Sequence, residues 1–325
     1  MTLDPDSSRF NMRKVKKLPS GLINLGNSCY LSSVLQLLAS AETALIDHFS
    51  RCGVIGRELA DVLTEINEGS HLVRPIEFIK SFTGSMGFFS SEQQDAHEFL
   101  LALLNLTLET TRSEFQSSLA SMESLKTITS GTLKSSQSIF KVRNPFTGIL
   151  MNELICLPCA IKKKPRHISS LRIEPFSCVT LTPTSSCSSV NEAVYKHFCG
   201  PEKFSDYLNY LKDGGKCGLG AVNQKHPLLL PELLFLHVSL LSETFMKTDQ
   251  RIETELELSG PGYRYKLQAA VVHVGANGFS GHFICYRRHG RRKSWIKCDD
   301  SRVGEIKEDE ILKQRAYLLL YQKDA

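Results

Sequence analysis

Apolar residues recur at helical spacing early in the chain and in strand-like runs later, and this order constrains the fold more than any other feature. From residue 21 to about 110 the pattern is mainly helical. Leu31, Val34, Leu35 and Leu38 fall at i, i+3, i+4 and i+7, one face of a helix that Asn27 and Ser28 are suited to cap. A second helix is predicted over Ser90 to Thr110, with Ser90 or Ser91 and Gln93 or Gln94 as a capping box and Ala96, Phe99, Leu100 and Leu103 as the buried stripe. The Ser/Thr-rich stretch from Thr111 to about 139 reads as an insert. From Asn144-Pro145-Phe146 onward, Leu233 to Leu240, Tyr263 to Val274, Phe283 to Arg288, Trp295 to Cys298 and Ala316 to Tyr321 are strand candidates, with a short helix near Glu308 to Gln314. Helices first and sheet later predict an α+β domain.

Composition narrows the class. At 325 residues with 42% hydrophobic and 22% charged residues, the chain can bury a large core, and the size suits a domain with an inserted lobe. The net charge of +5 is mild, and its clusters at Arg13 to Lys17, Lys162 to Arg166 and Arg287 to Lys293 read as solvated faces or loops. No aromatic interleaving points to nucleic acid. The ten cysteines, without a signal peptide, point to free thiols in a cytoplasmic or other reducing compartment. No apolar run reaches the roughly 18 residues needed for a membrane span.

One of those thiols sits where chemistry is expected. Cys29 begins the first predicted helix, where unpaired N–H groups and the helix dipole favour a thiolate and could hold an oxyanion. A thiolate nucleophile needs a base, and the base needs an orienting partner. Phe283 to Arg288, the polar turn His289 to Lys293 and Trp295 to Cys298 form a predicted hairpin. With its turn centred near Arg291, antiparallel register sets His282 across from Asp300 or, one position away, Asp299. Taken singly, each residue has a bland structural reading; together they form a Cys/His/Asp constellation.

These residues lie in segments that resemble the catalytic boxes of the ubiquitin-specific protease family. The first box is matched at Gly21, Leu22, Asn24, Leu25, Gly26, Asn27, Cys29, Tyr30, Ser33, Leu35 and Gln36. The second is matched at Gly281, His282, Tyr286, Arg288, Trp295, Asp299, Asp300 and Val303. Between them, Glu92-Gln93-Gln94-Asp95-Ala96-His97-Glu98-Phe99-Leu100 is similar to the family helix that meets the ubiquitin tail. The resemblance implies a papain-like core with a helical thumb, a β-sheet palm and a β fingers lobe. It also implies Cys29 as nucleophile, His282 as base, Asp299 as third member with Asp300 as a second candidate, and Asn24 as oxyanion donor. Gln94, Asp95, Gly281 and Phe283 would meet the substrate tail, small Gly281 helping to form a channel that admits glycine. Residues 1–20 read as a basic tether and 21–325 as one catalytic domain, with the thumb over about 21–110 and the fingers and palm over about 140–325.

The fingers depart from the family pattern. Cys156-Leu157-Pro158-Cys159 has the spacing of half a zinc site, but no second Cys-x-x-Cys follows. Cys178, Cys187, Cys199 and Cys217 are scattered singly, so a tetrahedral site would need an irregular ligand set, for which His197 and His167 are candidates. A remnant half-site without zinc, and no cofactor, is the expectation. Leu240 stands where the family commonly has arginine, and His237 reads as a core histidine. The expected function is a deubiquitinase acting on ubiquitin or ubiquitinated proteins. The alternatives are a non-catalytic ubiquitin-binding scaffold and a thiol peptidase for another ubiquitin-like modifier. The paired glutamines before Asp95, Asn144-Pro145-Phe146 and Tyr286-Arg287-Arg288 faintly resemble the family's mitochondrial outer-membrane branch.

Overall fold

The first helix, α1 (Cys29–Ala39), is buried over all eleven of its residues rather than along one face. Its polar positions allow this because they are small or internally bonded: Ser33 Oγ donates to Tyr30 O (2.8 Å), and Gln36 Nε2 reaches Ser20 O (2.7 Å). The computed structural model describes residues 17–69, 71–86, 94–107, 112–118, 142–161, 168–184, 187–210, 216–239, 251–275, 281–290 and 294–324. Around α1 pack α2 (Thr43–Phe49), α3 (Gly53–Glu68), α4 (Ile76–Met86) and α5 (Ala96–Leu104), which form the thumb. α5 starts six residues later than the sequence predicts. Asp95 is its N-cap, accepting from the amides of His97 (2.7 Å) and Glu98 (3.0 Å), and the predicted stripe of Ala96, Phe99, Leu100 and Leu103 is buried. Gln94 is described, whereas Ser90, Ser91 and Gln93 lie outside the described residues. Of the predicted insert, residues 112–118 are helical and 119–141 lie outside the described residues.

Two sheets follow. The fingers are β1 (Gly148–Cys156), β2 (Ile168–Phe176), β4 (Glu202–Tyr210) and β5 (Lys216–Leu229), an antiparallel sheet in the order β2-β1-β5-β4. The palm contains β3 (Cys178–Leu181), β6 (Leu233–Val238), β7 (Glu257–Gly260), β8 (Tyr263–Val274), β9 (His282–His289), β10 (Ser294–Asp299), β11 (Arg302–Glu305) and β12 (Ala316–Lys323). Its order is β11-β10-β9-β8-β12-β6-β3, with β7 paired to β8. All pairs are antiparallel except β3 with β6. Short helices α6 (Leu157–Ile161), α7 (Val190–Cys199) and α8 (Glu308–Leu312) complete the described elements used below.

The strand β8 shows how the lobes join. Burial alternates over Tyr263–Lys266 and then becomes continuous over Leu267–Val272, because there the thumb covers the second face of the sheet. One core cluster runs from α1 through β8, β9, β10 and β12. At its edge the chain between Gly21 and Ile23 is held from both sides. Leu22 N donates to Asp300 O (2.9 Å), while Ile23 N donates to Val73 O (3.0 Å) and Val73 N to Gly21 O (2.9 Å). A side chain at Gly21 would place its Cβ 2.5 Å from Ser301 O, so only glycine allows this approach. Leu18, Pro19 and Ser20 already pack against the thumb, with Ser20 N donating to Ile66 O (2.8 Å). No single helix among the described residues is long and apolar enough to cross a membrane.

Candidate active site

The turn before Cys29 is built around one side chain. Asn24 Oδ1 accepts from Gly26 N (3.0 Å), Ser28 N (3.3 Å) and Ser28 Oγ (3.2 Å), and this folds the chain back through left-handed Gly26 (φ 96°) and Asn27 (φ 52°). Ser28 stands at the N-cap position but does not cap; its Oγ accepts from Leu25 N (2.8 Å) instead. The turn leaves Cys29 as the first helical residue and fixes the amide of Asn24, whose Nδ2 donates to Asp300 Oδ2 at 2.7 Å.

Cys29 is only 4% exposed. Burial pushes its thiol upward, the Phe283 amide pulls it down, and the Asp300 carboxylate pushes it up again; the amides of Tyr30 and Cys29 itself give a smaller downward pull. The helix N-terminus therefore acts in the predicted sense but is outweighed, and the thiol is the resting form near neutral pH. The influence of the Phe283 amide places the sulfur against the first residues of β9, beside His282. Cys29 and His282 are not hydrogen-bonded in this state.

The hairpin register differs from the sequence expectation by one position or more. Ser294 pairs with His289 and Cys298 with Cys285, which continued would set Asp299 opposite Ile284 rather than opposite His282. Asp299 instead lies two residues along on the same face, a diagonal neighbour, and accepts from His282: Nε2 to Oδ1 is 2.7 Å. Asp300 falls on the opposite parity and, with φ at 49°, turns its carboxylate to Asn24. The two adjacent acids thus serve different partners. Burial acts upward on Asp299, but hydrogen bonds from His282 and Lys297 (Nζ to Oδ2, 3.3 Å) hold its carboxyl below the usual range. Because Asp299 occupies Nε2, Nδ1 of His282 is the nitrogen left for a thiol.

The remaining predicted residues lie at the start of α5 and at the start of β9. Asp95, besides capping α5, accepts a short hydrogen bond from Tyr317 OH on β12, and burial drives that phenol's pKa far upward. Gln94 precedes it, half-buried. Phe283 packs on His273 (centroids 4.6 Å) and Tyr317 (5.6 Å). A Cβ on Gly281 would lie 2.2 Å from His273 Nε2. Sequence reasoning missed His97, whose ring stacks on His237 at 3.8 Å, and Tyr317, which ties α5 to the palm. His237 also contacts Thr180 Oγ1 through Nδ1 (3.3 Å), and burial lowers its pKa to about 4. The basic run beginning at Arg287 is not a solvated face: Arg287 is fully buried, and Arg288 stacks over Trp295 at 4.7 Å. Residues 291–293 lie outside the described residues.

In the fingers, Cys217 is not a scattered cysteine. Its Sγ lies 3.4 Å from Cys156 Sγ and 3.2 Å from Cys159 Sγ, because β5 pairs with β1 and folds its start over α6. These three thiols are the described residues that could hold a metal ion. The second Cys-x-x-Cys of the family pattern would put a fourth at Gly220, which offers no donor, so a closed four-sulfur site does not fit the described residues. Neither His197 nor Cys178, Cys187 or Cys199 joins the cluster.

A family model described as ubiquitin carboxyl-terminal hydrolase matches residues 20–321. The chain is 28% identical to ubiquitin carboxyl-terminal hydrolase 17-like protein E of Mus musculus, over 93% of this chain and 54% of that protein. It is 26% identical to ubiquitin carboxyl-terminal hydrolase 23 of Arabidopsis thaliana, over 95% of this chain and 36% of that protein. It therefore spans about half the length, or less, of these curated relatives. Among solved structures, a SAGA DUB module of Ubp8, Sgf11, Sus1 and Sgf73 bound to monoubiquitin superposes with a TM-score of 0.70 at 22% identity, covering 94% of this chain and 69% of that one. The same module bound to ubiquitin aldehyde gives a TM-score of 0.70, covering 94% of this chain and 70% of that one. These likenesses establish the fold.

Proposed function

The chain belongs to the ubiquitin carboxyl-terminal hydrolase family, and on that premise we propose that it is a thiol-dependent deubiquitinase. Its substrate is the bond that follows the C-terminal glycine of ubiquitin. The observation that carries this reading is the His282–Asp299 pair, at 2.7 Å, at the start of β9, the strand that packs against the helix Cys29 opens.

In the reaction, Nδ1 of His282 takes the Cys29 proton as the sulfur attacks the glycine carbonyl carbon. Asp299 holds the ring through Nε2 and stabilises the imidazolium. Negative charge forming on the carbonyl oxygen meets the α1 N-terminus and the Asn24 amide, whose second hydrogen is not used by Asp300. One such donor contributes about 3 kcal/mol in comparable sites. His282 then protonates the leaving amine, and water, activated by the same imidazole, hydrolyses the thioester. Substrate entry also repositions Cys29 toward His282, from which it is unbonded at rest; apo catalytic contacts commonly tighten in this way.

The tail would pass the wall formed by Gly281, Phe283 and Tyr317, with Gln94 and Asp95 at its thumb side. Ten free cysteines support a reducing compartment.

The test is reaction with ubiquitin bearing a C-terminal electrophile. A covalent adduct on Cys29, lost in Cys29→Ala, is expected. A folded chain that forms no adduct would sink the proposal in favour of a non-catalytic scaffold. Faster hydrolysis of another ubiquitin-like modifier carrying the same reporter would overturn the substrate.

A further inference from the structure

Arg287 is the largest fully buried side chain in the described structure, and it carries a charge. It lies on β9, opposite Ile296 of β10 and Ala269 of β8, at a position that faces the thumb. Removing a guanidinium from water is costly unless it is paired, yet no carboxylate lies within ion-pair distance of it among the described residues. Its hydrogen-bond partners are neutral, while the Glu42 carboxylate acts on it from farther off. Nη1 donates to Gln36 O (3.3 Å), Nη2 donates to Asn67 Oδ1 (2.8 Å) at the end of α3, and the thiol of Cys298 lies alongside. Asn67 in turn donates through Nδ2 to Ala39 O (2.9 Å).

Gln36 and Ala39 belong to the last turns of α1, the helix that Cys29 begins. The counter-charge of Arg287 is therefore shared between the negative pole of that helix and the Glu42 carboxylate just beyond it. Seven residues of helix separate Cys29 from Gln36, about 10 Å, and five residues of strand separate His282 from Arg287, about 17 Å. Helix and strand run side by side, with Cys29 against Phe283 at one end and Gln36 against Arg287 at the other. The second attachment fixes the slide and angle of α1 on β9. Its positive charge also meets the C-terminal pole of α1.

We propose that Arg287 is a positioning residue, whose buried guanidinium clamps the C-terminal turns of α1 to β9 and α3 and thereby sets Cys29 against His282. The inference rests on the deubiquitinase reading for its turnover readout but not for its second readout, alkylation of Cys29 by iodoacetamide, which needs no ubiquitin.

Arg287→Met and Arg287→Lys are compared with wild type in the full chain, with circular dichroism as the folding control. For Arg287→Met, kcat on a ubiquitin C-terminal reporter is expected to fall about tenfold with KM nearly unchanged, and the pH midpoint of Cys29 alkylation to rise by about half a unit. Arg287→Lys keeps the charge and recovers part of both. A folded Arg287→Met with wild-type kcat and alkylation midpoint, or with only KM altered, overturns the proposal. If Arg287→Met does not fold, Asn67→Ala decides, because it removes the Nη2 acceptor at a half-exposed site. A loss in the same direction of about threefold is expected there, and wild-type behaviour overturns the proposal. Should wild type fail to cleave the reporter, the functional reading falls while the alkylation comparison still judges Arg287.

Discussion

The two neighbouring acids at the end of β10 are separable by substitution, and the structure sets the expected size of each effect. Asp299 faces His282 at 2.7 Å, with the pair 38% and 30% exposed. Two unit charges about 4 Å apart interact by about 1 kcal/mol in water and about 4 kcal/mol at the effective dielectric of a protein surface. Partial exposure takes the middle of that interval, about 2 to 3 kcal/mol, or roughly 30- to 150-fold in rate. Asp299→Asn removes the charge but leaves an amide oxygen that can still accept from Nε2, so this factor is the whole expected loss. Asp299→Ala removes orientation as well and is expected to cost about tenfold more. Asp300 supports Asn24 and raises the Cys29 thiol, so Asp300→Asn preserves an acceptor for Nδ2 and lowers the thiol pKa. Its loss is expected to be smaller than that of Asp299→Asn. The assay is kcat/KM on a ubiquitin C-terminal reporter across pH 5 to 9. If Asp300→Ala were the larger loss and Asp299→Ala stayed near wild type, the parity argument would be wrong.

The other two predictions concern packing and protonation. A Cβ at Gly281 would sit 2.2 Å from His273 Nε2 and 2.7 Å from Val274 O, the latter a backbone atom that cannot rotate away. Gly281→Ala should therefore cost about 1 to 3 kcal/mol in stability and displace His282 enough to cut kcat/KM by about tenfold or more; wild-type turnover would contradict it. Burial lowers His48, His197 and His237 from the usual value to about 4, with nearby Arg51, Lys225 and His97 adding to the shift respectively. The folded state thus binds these protons less readily than the unfolded chain, so their stabilisation is complete above about pH 6.5 and disappears as pH falls toward 4, by up to about 3 kcal/mol each for His197 and His237 and by less for the more exposed, solvent-screened His48. The urea midpoint should drop steeply between pH 6.5 and 4.5, and a midpoint that rose or stayed level would refute this.

Local chemistry made part of the site legible in the sequence. Helical spacing after Cys29 and the β-type runs flanking a polar turn at His289 to Lys293 are short-range signals, and both elements formed. Register was less legible, since moving the turn centre by half a residue moves the partner of His282 by one, and the turn itself carries no residue that fixes it. Parity then did what counting could not, placing Asp299 on the His282 face. The fingers were hidden for a different reason. Cys217 meets Cys156 and Cys159 only because β5 pairs with β1 across sixty-one residues of sequence, a contact without local signature. Arg287 misled because a basic run is usually solvated, and only the closing of α1 over the sheet reveals one member as buried.

The seam between thumb and palm shows why Asp300 is more than a neighbour of the triad. Its left-handed backbone costs about 1 kcal/mol for a residue other than glycine. That conformation turns its carbonyl toward Leu22 N and its carboxylate toward Asn24 Nδ2, so one residue grips the approach loop twice. Two hydrogen bonds, one of them to a charged group, offset the strain. The same carboxylate opposes ionisation of Cys29 and has one oxygen, Oδ1, buried without a partner. An acid with an unmet acceptor beside a protonated thiol is an expensive arrangement to keep unless it acts on the loop. Loop geometry and thiol protonation are therefore coupled through Asp300: a ligand that draws the Asn24 amide toward a developing oxyanion also loosens the contact that holds the resting turn.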